Sequence, residues 1–411
     1  MNKIELLAPA GDFERLQAAI AFGADAVYMG GTAFGLRAAA KNFDTEQMTR
    51  AVQYAHSNGV RVYITANIFA HNTDIDSMSE YLQNIGKINP DALIVSDPGV
   101  FDLVQEILPE MEIHISTQAN NTNYRSALFW ANLGAKRIIL ARELSLDEIS
   151  DIAKKTQGKI GLEAFVHGSM CMAYSGRCLL SAYMNNRDSN KGHCSNNCRF
   201  KYALMEEKRP GEYFPITEEE TGSYILSSKD LCMIQHIPEL VNSGLSSLKI
   251  EGRMKTPYYV ATVVRAYRKA LDDFFANPQL YETNKQMYLD EVLKSANRDF
   301  STGFFMEKPG SDSQVFDGET HHRMYDFIGI VRDYDAASGL ATVEQRNYFA
   351  IGDRVEFVRA AGFDNSFWQN INEMTDTDGN VTPVARHAQQ IVKIRTDRAV
   401  APFDILRKAV E

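Results

Sequence analysis

The cysteines are the residues of this sequence whose spacing most directly indicates chemistry. Four of the five in its 411 residues lie within 28 residues, at Cys171, Cys178, Cys194 and Cys198, and the fifth is Cys232. Their flanking residues are polar and turn-forming, whereas core cysteines behave as small hydrophobic residues in apolar runs. The composition predicts a cytoplasmic protein, in which thiols stay reduced, so clustered thiols indicate a metal site or redox chemistry.

The cysteine spacing favours an iron–sulfur cluster over zinc. Structural zinc sites use two closely spaced cysteine pairs, and only Cys194 and Cys198 have a suitable spacing. The regular cysteine runs of ferredoxins are absent as well. Irregular spacing on a long loop can still bring four thiolates together. The sequence therefore predicts a 4Fe–4S cluster, leaves zinc as the alternative, and leaves one of the five cysteines over.

Composition and charge exclude several classes of protein. The formal net charge is −10, which argues against a uniformly basic surface that coats nucleic acid. No run approaches the ~20 apolar residues of a membrane-spanning helix, so we expect no membrane association. The length predicts two domains, or one large domain with an appendage.

Short apolar strands alternate with helices along most of the chain. Eight such units in about 275 residues predict a TIM-like (β/α)8 barrel, with an open doubly wound sheet as the alternative. Asp44, Asp74 and Ser145 are predicted helix caps. The cysteines follow the predicted seventh strand, in an insertion at about 169–227. Because loops after barrel strands form the catalytic face, we expect this insertion to cover the mouth of the barrel.

Polar residues at the predicted strand ends are the candidates for an active site. These ends carry Gly11, Thr65, Asn67, Ser96, Asp97, Ser116, Thr117, Gln118, Arg142, Glu143, Glu163, His167, Glu251, Gly252 and Arg253. Helix capping is the alternative role for Ser96 and Asp97. For Glu251, the alternative is a structural ion pair with its basic neighbours, Lys249 among them. His167 is open to three interpretations: a spare cluster ligand, an acid–base group or a satisfied core histidine.

The chain changes character beyond about residue 310, where glycine and aspartate turns separate short β-rich runs. These runs are Phe327–Val331, Ala341–Glu344, Arg354–Phe357, Gln390–Ile394 and Asp404–Arg407. Short strands with turn signals between them predict a small all-β, barrel-like domain. We therefore expect a barrel domain at 1–310 and a C-terminal β domain at 320–411.

A local basic patch lies within the cysteine-rich insertion. From residue 177 to residue 201 there are five basic residues and one acidic residue, a net charge of +4. The candidates for RNA binding in this patch are Arg177, Arg187, Lys191 and Arg199, with Tyr174 beside them. Basic side chains contact phosphates, and aromatic rings stack on exposed bases. The alternative is that the arginines only hold the loop of the cluster.

Several motifs are specific enough to compare with known families. They are His167–Ser181 with its two cysteines, Gly192–Cys194, Cys198-Arg199, Glu5–Gly11, Ser228–Cys232, Leu248–Arg253, and Asn297-Arg298 followed by Thr302–Phe304. Together these motifs extend over essentially the whole chain. The sequence resembles the collagenase-like peptidase family, peptidase family U32.

This resemblance implies a barrel with a cysteine-ligated 4Fe–4S cluster. It implies Cys171, Cys178, Cys194 and Cys232 as the ligands, with Cys198 as the alternative to Cys232. Despite the family name, it also implies RNA-base hydroxylation, because the most similar members form 5-hydroxyuridine at the wobble position of tRNA in a prephenate-linked manner. The implied partners are the tRNA anticodon stem-loop and a shorter homologous subunit.

From this resemblance we derive a hypothesis for the site residues. We expect Glu163, His167, Glu251 and Arg253 to bind a small carboxylated donor, prephenate or a derivative of it, or to move protons. Gln118 is expected to contact the RNA together with the basic patch. Two alternatives remain. One is a peptidase, although the H-E-x-x-H and G-x-S-x-G motifs are absent. The other is a non-catalytic RNA-binding subunit of a hydroxylase complex.

Overall fold

The chain forms two compact units. The computed structural model describes residues 3–36, 41–171, 173–174, 177–199, 203–205, 208, 210–211, 213–215, 229–308, 324–360 and 362–410. The first unit comprises Met1–Leu16, Asp25–Lys255 and Arg298–Thr320, and the second comprises Gln17–Ala24, Thr256–Asn297 and His321–Glu411. These units do not coincide with the predicted domains, 1–310 and 320–411, since residues 256–297 belong to the second unit.

The first unit contains parallel strands that are almost entirely buried. The first seven are β1 (Glu5–Pro9), β2 (Ala26–Gly30), β3 (Arg61–Ala66), β4 (Ala92–Val95), β5 (Ile113–Ile115), β6 (Arg137–Ile139) and β7 (Gly161–Gly168). Each pairs in parallel with the next along the chain. Strands buried on both faces require unbroken apolar runs, which is why aliphatic residues dominate them.

Helices follow the first six strands. They are α1 (Phe13–Ala21), α2 (Thr45–Ser57), α3 (Asn72–Ile88), α4 (Pro98–Ile107), α5 (Tyr124–Asn132) and α6 (Leu146–Thr156). Asp44 and Ser145 cap α2 and α6 as predicted. The prediction for Asp74 is wrong, because α3 begins earlier; Asp74 lies inside the helix and accepts a hydrogen bond from the backbone N of His71 at 2.8 Å. No helix in the described part of the chain is long and apolar enough to cross a bilayer.

The cysteine-rich insertion leaves the barrel at β7 and returns beside it. Within it lie α7 (Leu180–Asn185), β8 (Ala203–Met205) and β9 (Tyr213–Pro215). Strand β10 (Asp230–Cys232) then pairs antiparallel with the end of β7. In this pairing Leu231 lies opposite Gly168, and Cys232 lies opposite His167. The two ends of the insertion are therefore held side by side at the barrel rim.

The eighth barrel strand closes the sheet. After α8 (Ile237–Asn242), β11 (Ser247–Ile250) pairs in parallel with both β7 and β1. This double pairing confirms the TIM-like barrel, and the alternative of an open sheet is wrong. A short strand, β12 (Phe300–Ser301), adds to β10 at the rim.

The second unit combines two helices with an all-β C-terminal segment. The helices are α9 (Pro257–Ala276) and α10 (Pro278–Leu293). The strands are β13 (Tyr325–Asp335), β14 (Leu340–Gln345), β15 (Phe349–Ala350), β16 (Arg354–Val358), β17 (Phe367–Asn370), β18 (Met374–Thr375), β19 (Val384–Ala385), β20 (Ile391–Arg395) and β21 (Ile405–Ala409). Within the described residues the main sheet has the order β17-β16-β21-β13-β14-β20-β18, and β15 pairs with β19. The predicted all-β domain is confirmed, and each predicted run overlaps a strand.

A buried cluster of charged side chains stabilises the second unit. The fully buried Arg407 donates to both carboxylate oxygens of Glu291, at 3.0 and 2.9 Å, and to Glu356 at 2.8 Å. Arg265 Nη1 lies 3.4 Å from Glu291. Burial opposes ionisation of Glu291, but Arg407 and Arg265 outweigh it and lower the pKa of Glu291 to about 2. Removing one member of such a group leaves an uncompensated buried charge.

We predict that Glu291→Gln lowers the melting temperature at pH 7 by roughly 5–10 °C, since breaking a buried pair costs about 3 kcal/mol or more. Because the folded-state pKa of Glu291 lies below its ordinary value of 4.5, this stabilisation is complete above pH 4.5 and is lost as the pH falls towards 2. The difference in melting temperature between wild type and variant should therefore decrease between pH 4.5 and pH 2. Thermal unfolding followed by circular dichroism measures it. Glu373→Gln removes an exposed carboxylate paired with Arg395 and serves as the control. Equal effects of the two substitutions at pH 7 would contradict the prediction.

Candidate active site

A pocket opens at the carboxyl ends of the barrel strands. Eight of its lining residues belong to the set predicted from strand ends: Thr65, Asn67, Ser116, Thr117, Gln118, Arg142, Glu251 and Arg253. The carboxyl ends of all eight strands meet at one end of a closed barrel, so residues distant in sequence converge there. Of the four predicted catalytic residues, Glu251 and Arg253 line the pocket, whereas Glu163 and His167 lie outside its lining.

One layer of side chains forms the floor of the pocket. Tyr28, Ile94, Ile139 and Lys249 line it and come from β2, β4, β6 and β11, which are alternate strands of the barrel. Alternate strands supply the members of a single interior layer in this fold. Lys249 Nζ lies 4.4 Å from the centre of the Tyr28 ring, so its charge faces an aromatic surface. The apolar members of this floor could not be predicted from the sequence, because they lie in the same apolar runs as the core residues.

A network of buried charges beneath the floor holds Lys249 in place. Lys249 Nζ donates to Glu163 at 3.0 Å, and Arg137 Nη1 donates to the other oxygen of Glu163 at 3.0 Å. Arg137 also pairs with Glu5, which accepts from the Tyr63 hydroxyl at 2.7 Å. Burial alone would raise the pKa of Glu163, but Lys249 and Arg137 together lower it. Glu163 is therefore a charged residue that supports the floor from below.

Neutral partners hold Arg253 across the pocket. Its Nη2 donates to Asn42 Oδ1 at 2.6 Å, and its Nη1 donates to Thr65 Oγ1 at 3.2 Å. A Cβ at Gly30 would lie 2.5 Å from Nη2, and a Cβ at Gly11 would lie 2.0 Å from the carbonyl oxygen of Arg253. Gly11 therefore requires glycine, and a side chain at Gly30 would displace the Arg253 guanidinium from its partners. The sequence analysis missed Asn42 and Gly30, since neither carries a charge or lies at a predicted site.

Two amide side chains on the pocket wall have unmet acceptors. Asn67 Nδ2 donates to Ser116 Oγ at 3.2 Å, and the same oxygen accepts from the backbone N of Gln118 at 3.3 Å. Asn67 Oδ1 and Gln118 Oε1 are shielded from solvent and have no hydrogen-bond partner within the described residues. Buried polar groups are almost always satisfied in native proteins, so these two oxygens mark a place where a ligand could bind.

Arg142 and Glu251 complete the polar lining. The Arg142 guanidinium lies 4.0 Å from the centre of the Phe165 ring, and its Nη1 donates to the carbonyl of Ser169 at 2.8 Å. Ser169 is the first residue of the insertion, so Arg142 joins the pocket wall to it. The backbone N of Glu251 donates to the carbonyl of His167 at 2.8 Å. His167 therefore helps to position Glu251 through its main chain.

The His167 side chain is buried beneath the rim. Its ring makes an edge contact with Phe300, with centroids 5.2 Å apart. Burial, with a smaller contribution from Lys255, lowers the pKa of His167 to about 3. The imidazole is therefore neutral at physiological pH. Among its three interpretations, this environment favours a core histidine.

Asp97 and Ser96, two strand-end residues outside the pocket lining, have different structural roles. Asp97 caps α4, accepting from the backbone N of Gly99 at 2.8 Å, which confirms helix capping for that residue. Ser96 is buried, and its hydroxyl donates to the carbonyl of Asn67 at 3.0 Å. Ser96 therefore anchors the main chain of a pocket residue.

The described residues at the start of the insertion contact the loops at the mouth of the barrel. Arg177 Nε donates to the carbonyl of Gln118 at 3.1 Å, and its guanidinium lies 5.0 Å from the centre of the Phe69 ring. Lys191 Nζ forms a salt bridge with Asp74 at 2.8 Å. These contacts reach the connections after β3 and β5, and Arg142 adds a third after β6.

The predicted RNA-binding residues differ in their exposure to solvent. Tyr174, Arg177 and Arg187 are exposed on the insertion. Lys191 is half-buried and its charge is matched by Asp74, so its observed contact is within the protein. The side chain of Arg199 lies outside the described residues.

All five cysteines lie within the described residues, and none forms a disulfide. The backbone N of Leu180 donates to Cys178 Sγ at 3.3 Å, and the next residue, Ser181, donates from its hydroxyl to Cys194 Sγ at 3.9 Å. The insertion therefore brings Cys178 and Cys194 near each other at the start of α7. Cys232 lies at the rim, opposite His167.

The donor set fits an iron–sulfur cluster in type and number. It offers thiols without disulfides, and main-chain N–H groups point at two of the sulfurs, including Asn196 N at 3.4 Å from Cys194 Sγ. The described side chains do not converge further, since no three His, Cys, Asp or Glu residues among them lie close enough to hold a metal ion. The predicted ligand set, Cys171, Cys178, Cys194 and Cys232 with Cys198 as the alternative, stays a prediction.

We predict that Gly30→Ala destabilises the protein by about 2 kcal/mol, because its Cβ would displace the buried guanidinium of Arg253. Gly35→Ala is the matched control in the same connection, where a Cβ would lie 3.3 Å from Thr65 Oγ1 and 3.9 Å from Arg253 Nη1. Thermal unfolding should show a clearly larger loss for Gly30→Ala. Similar melting temperatures for the two variants would contradict the packing described here.

Comparison with known proteins places this arrangement in a family. Bacillus subtilis tRNA hydroxylation protein P1 is 42% identical over 407 residues, which cover 99% of this chain and 95% of that protein. The tRNA hydroxylation protein P2 of the same organism is 34% identical over 310 residues, covering 75% of this chain and 99% of that protein. A 23S rRNA 5-hydroxycytidine synthase of Escherichia coli is 36% identical over 272 residues, covering 66% of this chain and 40% of that protein.

Two family models match consecutive parts of the chain. Residues 11–315 match Peptidase family U32, and residues 323–407 match the Peptidase family U32 C-terminal domain. The first match contains β2 to β7 and β11, which are seven of the eight barrel strands, together with the cysteine-rich insertion. The second contains the C-terminal sheet up to the middle of its last strand, β21. The chain belongs to peptidase family U32.

Proposed function

We propose that this chain is an RNA-base hydroxylase that forms 5-hydroxyuridine at the wobble position of tRNA. The observation that carries the proposal is a polar pocket at the barrel mouth, covered by an insertion that presents exposed basic and aromatic side chains and clustered thiols. The names of the relatives support it, since two are tRNA hydroxylation proteins and a third is a 5-hydroxycytidine synthase acting on rRNA. The peptidase alternative rests on the family name alone.

The proposal includes a 4Fe–4S cluster held by Cys171, Cys178, Cys194 and Cys232, with Cys198 as the alternative to Cys232. When bound, such a cluster would supply electron-transfer chemistry next to the substrate. The N–H groups directed at Cys178 and Cys194 support this assignment, because such hydrogen bonds stabilise thiolate ligands.

The pocket residues have separate roles in the proposed reaction. Arg142 and Arg253 bind the carboxylate of a small oxygen donor, for which we propose prephenate or a derivative of it. Glu251 lies in the same lining and exchanges protons with bound groups. Glu163 and His167 act indirectly: Glu163 fixes Lys249 in the floor, and His167 holds the main chain of Glu251.

The exposed face of the insertion binds the RNA in this proposal. Among the described residues, Arg177 and Arg187 of the basic patch are exposed, and so is Tyr174 beside it. These side chains suit phosphate contact and stacking with a single-stranded loop. The tRNA anticodon stem-loop is the proposed partner. A shorter homologous subunit is a second proposed partner, which the coexistence of two such proteins in Bacillus subtilis supports.

We predict that Cys171→Ser abolishes both the visible absorbance of anaerobically purified protein and the formation of 5-hydroxyuridine. The strain would lack the native gene and carry the variant, with tRNA nucleosides measured by mass spectrometry. Cys232→Ser should behave in the same way, while Cys198→Ser serves as the matched control and should keep both signals. A Cys171→Ser protein that still yields the modified base would contradict the proposal. Loss with Cys198→Ser and retention with Cys232→Ser would exchange those two ligand assignments.

We predict that Arg187→Ala weakens tRNA binding and lowers the slope of log affinity against log salt concentration by about one, because one phosphate contact is lost. Filter binding at several salt concentrations measures both quantities. Arg50→Ala removes an exposed arginine of α2, outside the insertion, and should leave affinity and slope unchanged. Equal slopes for wild type and Arg187→Ala would remove this residue from the RNA-binding surface.

A further inference from the structure

The pocket at the barrel mouth divides into a neutral half and a charged half. The neighbouring strands β3, β4 and β5, with the residues that follow them, contribute Thr65, Asn67, Ile94, Ser116, Thr117 and Gln118. The charged lining residues come from β6 and β11 and the residues after them: Arg142, Lys249, Glu251 and Arg253. Arg253 reaches Thr65 from the charged half, so the neutral surroundings are those of Asn67, Ser116 and Gln118. Ligands of different polarity therefore find different surroundings on the two sides of one pocket.

The neutral half is pre-organised around its two unmet acceptors. The main chain of Gln118 is held on both sides, because its N–H donates to Ser116 Oγ at 3.3 Å and its carbonyl accepts from Arg177 Nε at 3.1 Å. Asn67 is held by Ser116 through its Nδ2 and by Ser96 through its carbonyl. The Gln118 side chain keeps its terminal torsion, which is soft, so its oxygen can turn towards a ligand at little cost. The Asn67 amide is instead fixed by the bond from its Nδ2 to Ser116 Oγ, which sets the direction of its oxygen.

Unmet acceptors select a ligand that carries an N–H or O–H donor. A carboxylate or a phosphate presents only acceptor oxygens, and it suits the charged half of the pocket instead. The edge of a pyrimidine base presents N–H together with carbonyl oxygen, and its ring has flat apolar faces that can pack on Ile94 of the floor.

We infer that the neutral half of this pocket is a subsite for a pyrimidine base, whose edge N–H donates to the amide oxygens of Gln118 and Asn67. The inference rests on the proposed function in taking RNA as the source of the base. Enzymes that act on a base of RNA or DNA bind it outside the stack, in a pocket that reads its edge. The charged half then remains for the small anionic donor, beside the base.

The test compares uridine 5′-monophosphate with its N3-methyl derivative, which lacks the edge N–H. Binding to the full-length protein is measured by isothermal titration calorimetry. We expect N3-methylation to weaken binding to wild type about tenfold, since it leaves the amide acceptors unpaired. In Gln118→Ala the two ligands should bind within about twofold of each other, whereas Gln118→Glu keeps an acceptor and should keep the discrimination.

Gln118→Ala preserves the main-chain contacts with Ser116 and Arg177, so the pocket wall stays in place. Gln105→Ala, at an exposed glutamine of α4, is the matched control and should discriminate as wild type does. Equal binding of the two nucleotides to wild type, or no binding of either, would overturn the subsite. Because this measurement needs no turnover, a protein that discriminates between them but does not hydroxylate tRNA would overturn the proposed function and leave the subsite standing.

Discussion

Lys249 and Glu163 carry opposite charges in the interior of the barrel, where neither can be fully hydrated. Such charges are tolerated only when they are paired, and here Arg137 and Glu5 extend the pairing further. The members come from β1, β6, β7 and β11, and the Tyr63 hydroxyl joins β3 to them. One electrostatic requirement thus fixes the relative positions of five strands. The floor of the pocket, and therefore everything arranged above it, depends on that pairing.

The parts above the floor use neutral hydrogen bonds and close packing. Arg253 reaches across to Asn42 and Thr65, and its guanidinium packs against Gly30. On the opposite wall, the Asn67 side chain and the Gln118 main chain both donate to the Ser116 hydroxyl. The insertion is fastened to the same wall, since Arg142 binds the carbonyl of Ser169 and Arg177 binds the carbonyl of Gln118. The positions of the cysteines and the shape of the pocket are therefore coupled through short, direct contacts. Preorganisation of this kind is what a site for a small ligand requires.

Much of this arrangement could be predicted from the sequence, because strand periodicity and strand ends are local signals. Eight polar residues of the pocket lining follow from them, whereas Lys249 lies within β11 and does not. Glu163 does not, since β7 continues to Gly168 and Glu163 is the third of its eight residues, at the level of the buried network. Asn42 and Gly30 escaped prediction because their roles arise only from packing against Arg253. Local clustering predicts the cysteines as ligands, but how far they converge depends on the path of the whole insertion.

The antiparallel pairing of β10 with the end of β7 affects how much the cysteine-rich insertion can vary in length. Because Gly168 and Leu231 are paired, the segment between them begins and ends at neighbouring points of the sheet. For a loop whose ends already meet, each doubling of its length costs only about 0.6 kcal/mol of closure entropy. The barrel can therefore accept insertions of very different length and composition at this position. In evolutionary terms, substrate choice can change by replacement of one loop while the folded scaffold beneath it is kept.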